Sequence, residues 1–454
     1  MDASRRPSCS SEALVLALCV PLLCVHERYN PDVSIAAGPT SVSIALSDVA
    51  VLIILVAAAR AAQRLGIEPL RRGGWTLAAA ATLIGLIVAG TLAGPILTEG
   101  YPLARSLVSA AKFAEYGALA FAVPLIVRRR ADALAVAVAV TAVGALAAIV
   151  GVLQIIGLLG NLDHVPAGRR MPSFVGLHDF AALAGATLGI AIAAIASGTW
   201  HRVRALGAVA AVAGVVGVVI AGAMATVLAL MLGGVLAFAT MVSRRTISLR
   251  RVLAIGGLLL AITMGSLSLR SGDVADFIGF LGKQDKPSGN VQSYSQRTVL
   301  AYIGVKIFLA HPLTGVGWQA SELPVNFKPH LGAARRRFPE VADEALPSDR
   351  HRWGIQNAYV QAAADLGILG LIALLATVAT AFTRAASRAI RGTSPPGPLA
   401  LGISIGVLVC AAEWAALGLV PGITATALLW LFVGGAVALN REGDLPEDDG
   451  NARS

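Results

Sequence analysis

Between Arg204 and Arg244 the chain carries no charged residue at all. The apolar run around this gap, Val203 to Val242, is about 40 residues long. As one straight helix at 1.5 Å per residue it would reach about 60 Å, twice the roughly 30 Å hydrocarbon core of a bilayer. The run must therefore fold back on itself, and Gly222 is the predicted turn. Runs of comparable apolarity recur along the whole chain, which predicts spanning helices rather than a water-soluble core. Composition agrees. Only 14% of the 454 residues are charged, against about 25% in a soluble domain. The expected fold class is an all-α polytopic membrane protein.

About twelve spans fit the apolar runs, near 12–25, 43–60, 75–97, 103–127, 132–157, 177–198, 203–220, 222–242, 251–269, 355–383, 397–417 and 420–440. With the first residue inside, the inner loops receive Arg60, Arg64, Arg71 and Arg72, then Arg128–Arg130, then Arg202 and Arg204. Further along they receive Arg244, Arg245, Arg250 and Arg251, then Arg384, Arg388 and Arg391. The short outer loops hold only Arg28, Arg105, Arg169 and Arg170. This asymmetry places both termini in the cytoplasm. The net charge of +10 thus reports orientation, and no nucleic-acid partner is expected. Arg5 and Arg6 before ALVLALCVPLLC imitate a signal peptide, but no small-residue cleavage site follows, so an uncleaved first helix is expected. Cys9, Cys19, Cys24 and Cys410 lack metal-ligand spacing.

The division expected from these features is a membrane bundle over 1–269, an extracytoplasmic loop over 270–354, C-terminal membrane helices over 355–440 and a disordered cytoplasmic tail over 441–454. A structureless loop of about 85 residues would be unusual. Within it SYSQRTVLAYIGVKIFLAHP carries the periodic apolar set Leu300, Ile303 and Ile307, with Arg297 and Lys306 as polar members. That pattern predicts an amphipathic helix over 291–310, resting on or dipping into the outer leaflet. HPLTGVGW follows, in which Pro312 stops the helix while Gly315 and Gly317 permit a tight turn or a close backbone approach. QNAYVQAAADLGILGL then opens a long span.

This ordered set resembles the O-antigen ligase and O-antigen polymerase superfamily of bacterial membrane glycosyltransferases. Members show an Arg-headed helix, an H-P-x-x-G-x-G turn, a large periplasmic loop, and H-N-x-(aromatic or Leu)-x-Q-x-x-x-(acid)-x-G at the next helix. SIALSDVAVLIIL with Asp48, KFAEYGALAFAVPLI from Lys112 and GRRMPSFVGLHDFAALAG from Gly168 resemble further parts of the pattern more loosely. The resemblance implies a GT-C-like enzyme that moves a glycan from a polyprenyl-pyrophosphate donor, undecaprenyl pyrophosphate being the family's carrier, to an acceptor hydroxyl on another glycan or glycolipid. The product would be ligated or polymerised cell-surface polysaccharide. Membrane lipids are the remaining expected partners.

Position by position, the resemblance makes Arg297 the first candidate for holding the pyrophosphate, since a guanidinium binds such an anion bidentately and stabilises it as it leaves. The alternative for Arg297 is a solvated face charge. Arg169 or Arg170 matches the outer-loop arginine of the family. Arg335, Arg336 and Arg337 form either a weaker phosphate or lipid-headgroup site or a solvated run. With arginines neutralising the diphosphate, neither metal nor cofactor is expected. Two positions depart from the pattern. Met224 stands where many members carry an arginine, and Gln356 stands where the family has its proposed catalytic His. An amide takes no proton at neutral pH, so His351 is the substitute candidate base, with Gln356 and Asn357 positioning the acceptor. Two other readings remain: a non-catalytic family member that binds glycolipid, or a transporter or flippase of lipid-linked intermediates. For the transporter, Lys112, Glu115 and Glu413 are the candidate mid-span charges, Lys112 and Glu115 forming a pair at i, i+3.

Overall fold

A computed structural model describes residues 9–37, 40–161, 169–198, 203–270, 293–339, 341–391 and 397–439. The expected disordered tail lies outside these residues. The described chain is almost wholly helical: α1 (Ser11–Leu23), α2 (Leu46–Leu65), α3 (Glu68–Arg71), α4 (Gly74–Leu97), α5 (Leu103–Gly117), α6 (Leu119–Ile126), α7 (Arg130–Ile155) and α8 (Leu177–Ala196) come first. There follow α9 (Arg204–Ala221), α10 (Met224–Ser243), α11 (Leu249–Leu269), α12 (Ser293–Ala310), α13 (Pro324–Arg337), α14 (Ala358–Arg391), α15 (Gly397–Glu413) and α16 (Thr424–Ala438). Nine candidate spans among the described residues are long and apolar enough to cross a membrane, with α5 and α6 counted as one. The other three predicted spans fall on shorter apolar helices, 11–23, 399–413 and 424–438. This is a multi-pass membrane protein.

The span expected over 103–127 is found as α5 and α6, which meet at Ala118, itself helical at φ −63° and ψ −19°. The structure adds one feature that periodicity did not suggest. An antiparallel hairpin of β1 (Asp32–Ala37) and β2 (Thr40–Ala45), paired from Asp32–Ala45 to Ala37–Thr40, precedes α2. The reversal at Gly222 is where the sequence puts it, with Gly222 in the left-handed conformation at φ 59° as the C-cap of α9.

The bundle packs around α8. Half of its residues are Ala or Gly, and small side chains let neighbouring helix backbones approach closely where no hydrophobic drive joins helices in lipid. Accordingly 89% of its most apolar window is buried, against 17% for α11 at the periphery. Arginines tie helix ends together. Arg128 donates to the carbonyls of Leu65 and Gly66 at the C-terminus of α2, and Arg244 donates to those of Arg388 and Ala389 in the last turn of α14. Cations are favoured at helix C-termini, where carbonyls lack partners inside the helix.

The segment from α12 to α14 forms its own small core. Val299, Ile303 and Ile307 of α12 are buried against Val316, Phe327 and Ile355. The apolar stripe expected to meet the outer leaflet is therefore covered by protein. HPLTGVGW then docks onto a kink in α14. There Gly367, at φ 69° and ψ −165°, interrupts the helical backbone, which would leave polar groups stranded, as happens wherever a spanning helix breaks. The turn satisfies them. Val316 N–H donates to Ala364 O (3.0 Å), Gly317 N–H to Asp365 O (2.9 Å), and Ile368 N–H to Pro312 O (2.8 Å). The Asp365 carboxylate, fully buried, accepts from the N–H groups of Gln319 and Ser321 at 3.0 Å each. Gln361 bridges Asp365 (3.2 Å) to the Leu419 N–H (2.7 Å) beyond α15. Trp318, at the end of the motif, is buried edge-on against Phe113 and donates to Ser109 Oγ. The H-P-x-x-G-x-G turn and the Q-x-x-x-D-x-G helix start are thus two halves of one joint.

At this joint the backbones touch. A Cβ on Gly315, which sits at φ +65°, would lie 2.3 Å from the Asp365 carbonyl oxygen. Gly315→Ala is expected to lower the melting temperature of the detergent-solubilised protein, through a left-handed penalty of about 1–2 kcal/mol and an overpacking cost of about 1–3 kcal/mol. Gly332→Ala on α13, where the one atom within 4 Å among the described residues is the end of Arg336 at 3.6 Å, is expected to hold or slightly raise it, since Ala favours the helix over Gly.

Candidate functional site

One end of the bundle gathers polar side chains from five elements. Arg297 lies in the second turn of α12, His178 in the first turn of α8, Thr226 in the first turn of α10, and Glu413 is the last residue of α15. Gln356 sits just ahead of α14. Arg297 Nε donates to Gln356 Oε1 at 2.9 Å, and Arg297 Nη2 lies 2.8 Å from His178 Nε2. His178 Nδ1 is 2.7 Å from Glu413 Oε2, and Thr226 Oγ1 donates to Glu413 Oε1, also at 2.7 Å.

The donor inventory fixes the proton positions. A guanidinium only donates, so His178 Nε2 accepts and Nδ1 carries the hydrogen that points at the Glu413 carboxylate. His178 is therefore a neutral imidazole between a cation and an anion. Glu413 has no solvent exposure, and the His178 side chain retains 12%. Burial pulls the Arg297 guanidinium below its usual range, Glu413 opposes that shift, and Arg270 adds to it as a like charge. Arg270, at the end of α11, donates to the carbonyl of Gly222 (2.9 Å). It thereby brings a guanidinium to the turn that Met224 follows. Arg170 also flanks that turn, its Cβ 3.5 Å from where a side chain on Gly222 would start.

The structure joins some of the sequence candidates and separates others. Arg297 and Gln356 meet. Asn357 adjoins Gln356, but its side chain is occupied as a cap: Oδ1 accepts from the N–H groups of Tyr359 (3.1 Å) and Val360 (3.0 Å), while Nδ2 donates to Ala415 O (2.9 Å). It holds the helix start that carries Gln356. Asn at an N-cap is a strong local preference, and that signal alone explains its place. His351 is exposed and its ring stacks on Trp353 at 5.9 Å. Among the described residues, no hydrogen bond links its side chain to Arg297. Arg169 is exposed. Arg335, Arg336 and Arg337 are exposed in the last turn of α13, with Arg335 paired to Asp343 at 3.1 Å and Arg337 lying 5.8 Å from the Phe338 ring centroid.

Two of the mid-span charges also find other roles. Lys112 pairs not with Glu115 but with Asp48, at 2.8 Å, and Asp48 accepts in addition from Tyr116 OH and the Ala45 N–H. That cluster ties α5 to the start of α2. Glu413 belongs to the arginine–histidine chain. Sequence reasoning passed over His178 as part of that chain, although an ionisable residue in an apolar helix is a functional candidate by default. Among the described residues no three His, Cys, Asp or Glu side chains could hold a metal ion.

Residues 209–375 match the family model described as O-Antigen ligase. This segment belongs to the O-antigen ligase superfamily. The match contains Arg297, the HPLTGVGW joint, Gln356 and Asn357, whereas His178 and Glu413 lie outside it. No curated protein matches the chain.

If Asn357 is a cap, its truncation should act on stability. Asn357→Ala is expected to destabilise the protein by about 1 kcal/mol and Asn357→Ser by less, read as thermal midpoints in detergent.

Proposed function

We propose that this protein transfers a glycan from a polyprenyl-pyrophosphate donor to an acceptor hydroxyl, ligating or polymerising cell-surface polysaccharide at the outer face of a bacterial inner membrane. Twelve helices cross, both termini lie in the cytoplasm, and the segment from α12 to α13 is extracytoplasmic. The observation that carries this reading is the placement of Arg297. Its guanidinium is half-buried within the O-antigen ligase segment, held by an amide and an imidazole rather than directly by a carboxylate. A cation in such a setting is neutralised only at a distance and is well suited to an incoming dianion, whose oxygens match the guanidinium fork bidentately.

On this reading Arg297 grips the diphosphate and stabilises the charge that develops as the bond to the anomeric carbon breaks. Arg170, beside the turn at Gly222, is favoured over the exposed Arg169 as the second cation. Arg335–Arg337 would meet lipid headgroups only from the far end of α13. Gln356 orients Arg297 through its carbonyl and leaves its NH2 to meet a sugar hydroxyl, with Asn357 holding the backbone beneath it. The base remains to be assigned. His351 could serve only if its loop carried it away from Trp353.

The test is a reconstituted transfer assay with lipid-linked oligosaccharide, coupled to a binding measurement with undecaprenyl pyrophosphate. Arg297→Ala is expected to lower transfer by about 100-fold or more and to weaken pyrophosphate binding, with Arg297→Lys recovering little because the fork is lost. Wild-type rate in Arg297→Ala would reject the mechanism. Binding and vesicle transport of the donor without covalent change would favour the flippase.

A further inference from the structure

We infer that His178, oriented by Glu413 and masked at rest by Arg297, is the general base that takes the acceptor's proton. The inference rests on the transfer reading above. It begins from the empty role: Gln356, at the position where a His would serve, cannot accept a proton, and the only imidazole bonded to Arg297 among the described residues is His178. The arrangement of His178 has the three parts that make an imidazole a base. A carboxylate on Nδ1–H fixes the tautomer and stabilises the imidazolium once formed. That carboxylate is itself held, by Thr226 Oγ1 at 2.7 Å and by complete burial. The lone pair on Nε2 points to the partly exposed end of the network, where Arg297 and Gln356 lie.

At rest that lone pair is not available, because Arg297 Nη2 sits on it at 2.8 Å. A pyrophosphate offers Arg297 a far stronger acceptor than a neutral imidazole, since hydrogen bonds between ionised partners are about twice as strong. When the donor draws the guanidinium onto its phosphate oxygens, Nε2 is freed beside the reacting carbon. The acceptor O–H then gives its proton to Nε2 as its oxygen forms the bond to the anomeric carbon. The bond from that carbon to the pyrophosphate oxygen breaks, and its electron pair stays on the polyprenyl pyrophosphate held by Arg297. The proton rests on His178 as an imidazolium facing Glu413, and passes to water or to the leaving pyrophosphate when products depart. One displacement inverts the anomeric centre. The masking also keeps the base silent until donor is bound, so acceptor alone is not activated.

The charged groups facing His178 are Glu413 on α15 and Arg297 on α12, with Arg270 on α11 acting on Arg297. Its neighbour Asp179 accepts instead from the Ala425 N–H on α16 at 2.6 Å, and His26 lies across Gly176. Replacing Glu413 by Gln removes the negative charge while keeping an acceptor, so the imidazolium loses its stabilisation and His178 becomes a weaker base.

The experiment uses the full chain in proteoliposomes with lipid-linked oligosaccharide. His178→Gln preserves both contacts, its carbonyl accepting from Arg297 and its NH2 donating to Glu413, so it should fold. It is expected to bind undecaprenyl pyrophosphate as the wild type does and to lose transfer by about 100-fold or more. Glu413→Gln is expected to shift the acid limb of the pH–rate profile to lower pH by about one unit or more, a change that a merely structural role would not produce. Wild-type transfer by His178→Gln, an unmoved profile in Glu413→Gln, or loss of transfer in His351→Ala alone would overturn the assignment while leaving glycan transfer standing. Absence of transfer by the wild type, with pyrophosphate still bound, would instead sink the transfer reading itself.

Discussion

A carboxylate with no exposure, at the end of a helix in an apolar bundle, has to be answered by other elements. Glu413 is that group. An unpartnered buried charge costs several kcal/mol, and this one is met by a hydroxyl from α10 and an imidazole from α8. The imidazole in turn faces a guanidinium on α12, and the guanidinium an amide at the head of α14. Removing any member leaves its neighbours with unmet polar atoms in a low-dielectric setting, where they are most costly. Five elements that are remote in sequence are thereby fixed relative to one another at one end of the bundle.

The same accounting governs the backbone nearby. The break at Gly367 releases carbonyls and an N–H that lipid could not satisfy, and the HPLTGVGW turn takes up each of them. The motif leaves His311–Thr314 at the surface and buries Gly315–Trp318 against the kink of α14. It bears on the site, because α12 delivers Arg297 and α14 begins two residues after Gln356. The joint sets the distance between them. Residues that read as chemistry by their polarity, such as Gln361, Asp365 and Asn357, spend their hydrogen bonds holding this frame together.

The resulting site is balanced in charge, with Arg297 and Glu413 on either side of a neutral histidine. The turn at Gly222 is flanked by Arg170 and reached by Arg270 at the same end.

Much of the fold was legible in the sequence because a bilayer permits few solutions. Charge-free runs longer than the hydrocarbon thickness must reverse, so Gly222 and the helix positions could be read directly, and a periodic apolar set revealed α12. The family-like order of HPLTGVGW and QNAYVQAAADLG identified the segment and singled out Arg297 and Gln356. The β1–β2 hairpin and the partner of Lys112 were not legible, since each depends on which neighbour packs alongside. Sequence spacing suggested His351 as the base because it lies five residues from Gln356. The chain's path instead turns that ring onto Trp353 and brings up His178 and Glu413, which are 235 positions apart. Apolar patterning alone determined that this protein is a helical membrane bundle and which residues are polar enough to matter. Only the tertiary structure decided which of them meet, because a buried charge chooses its partners by proximity in space, and helix packing alone sets that proximity.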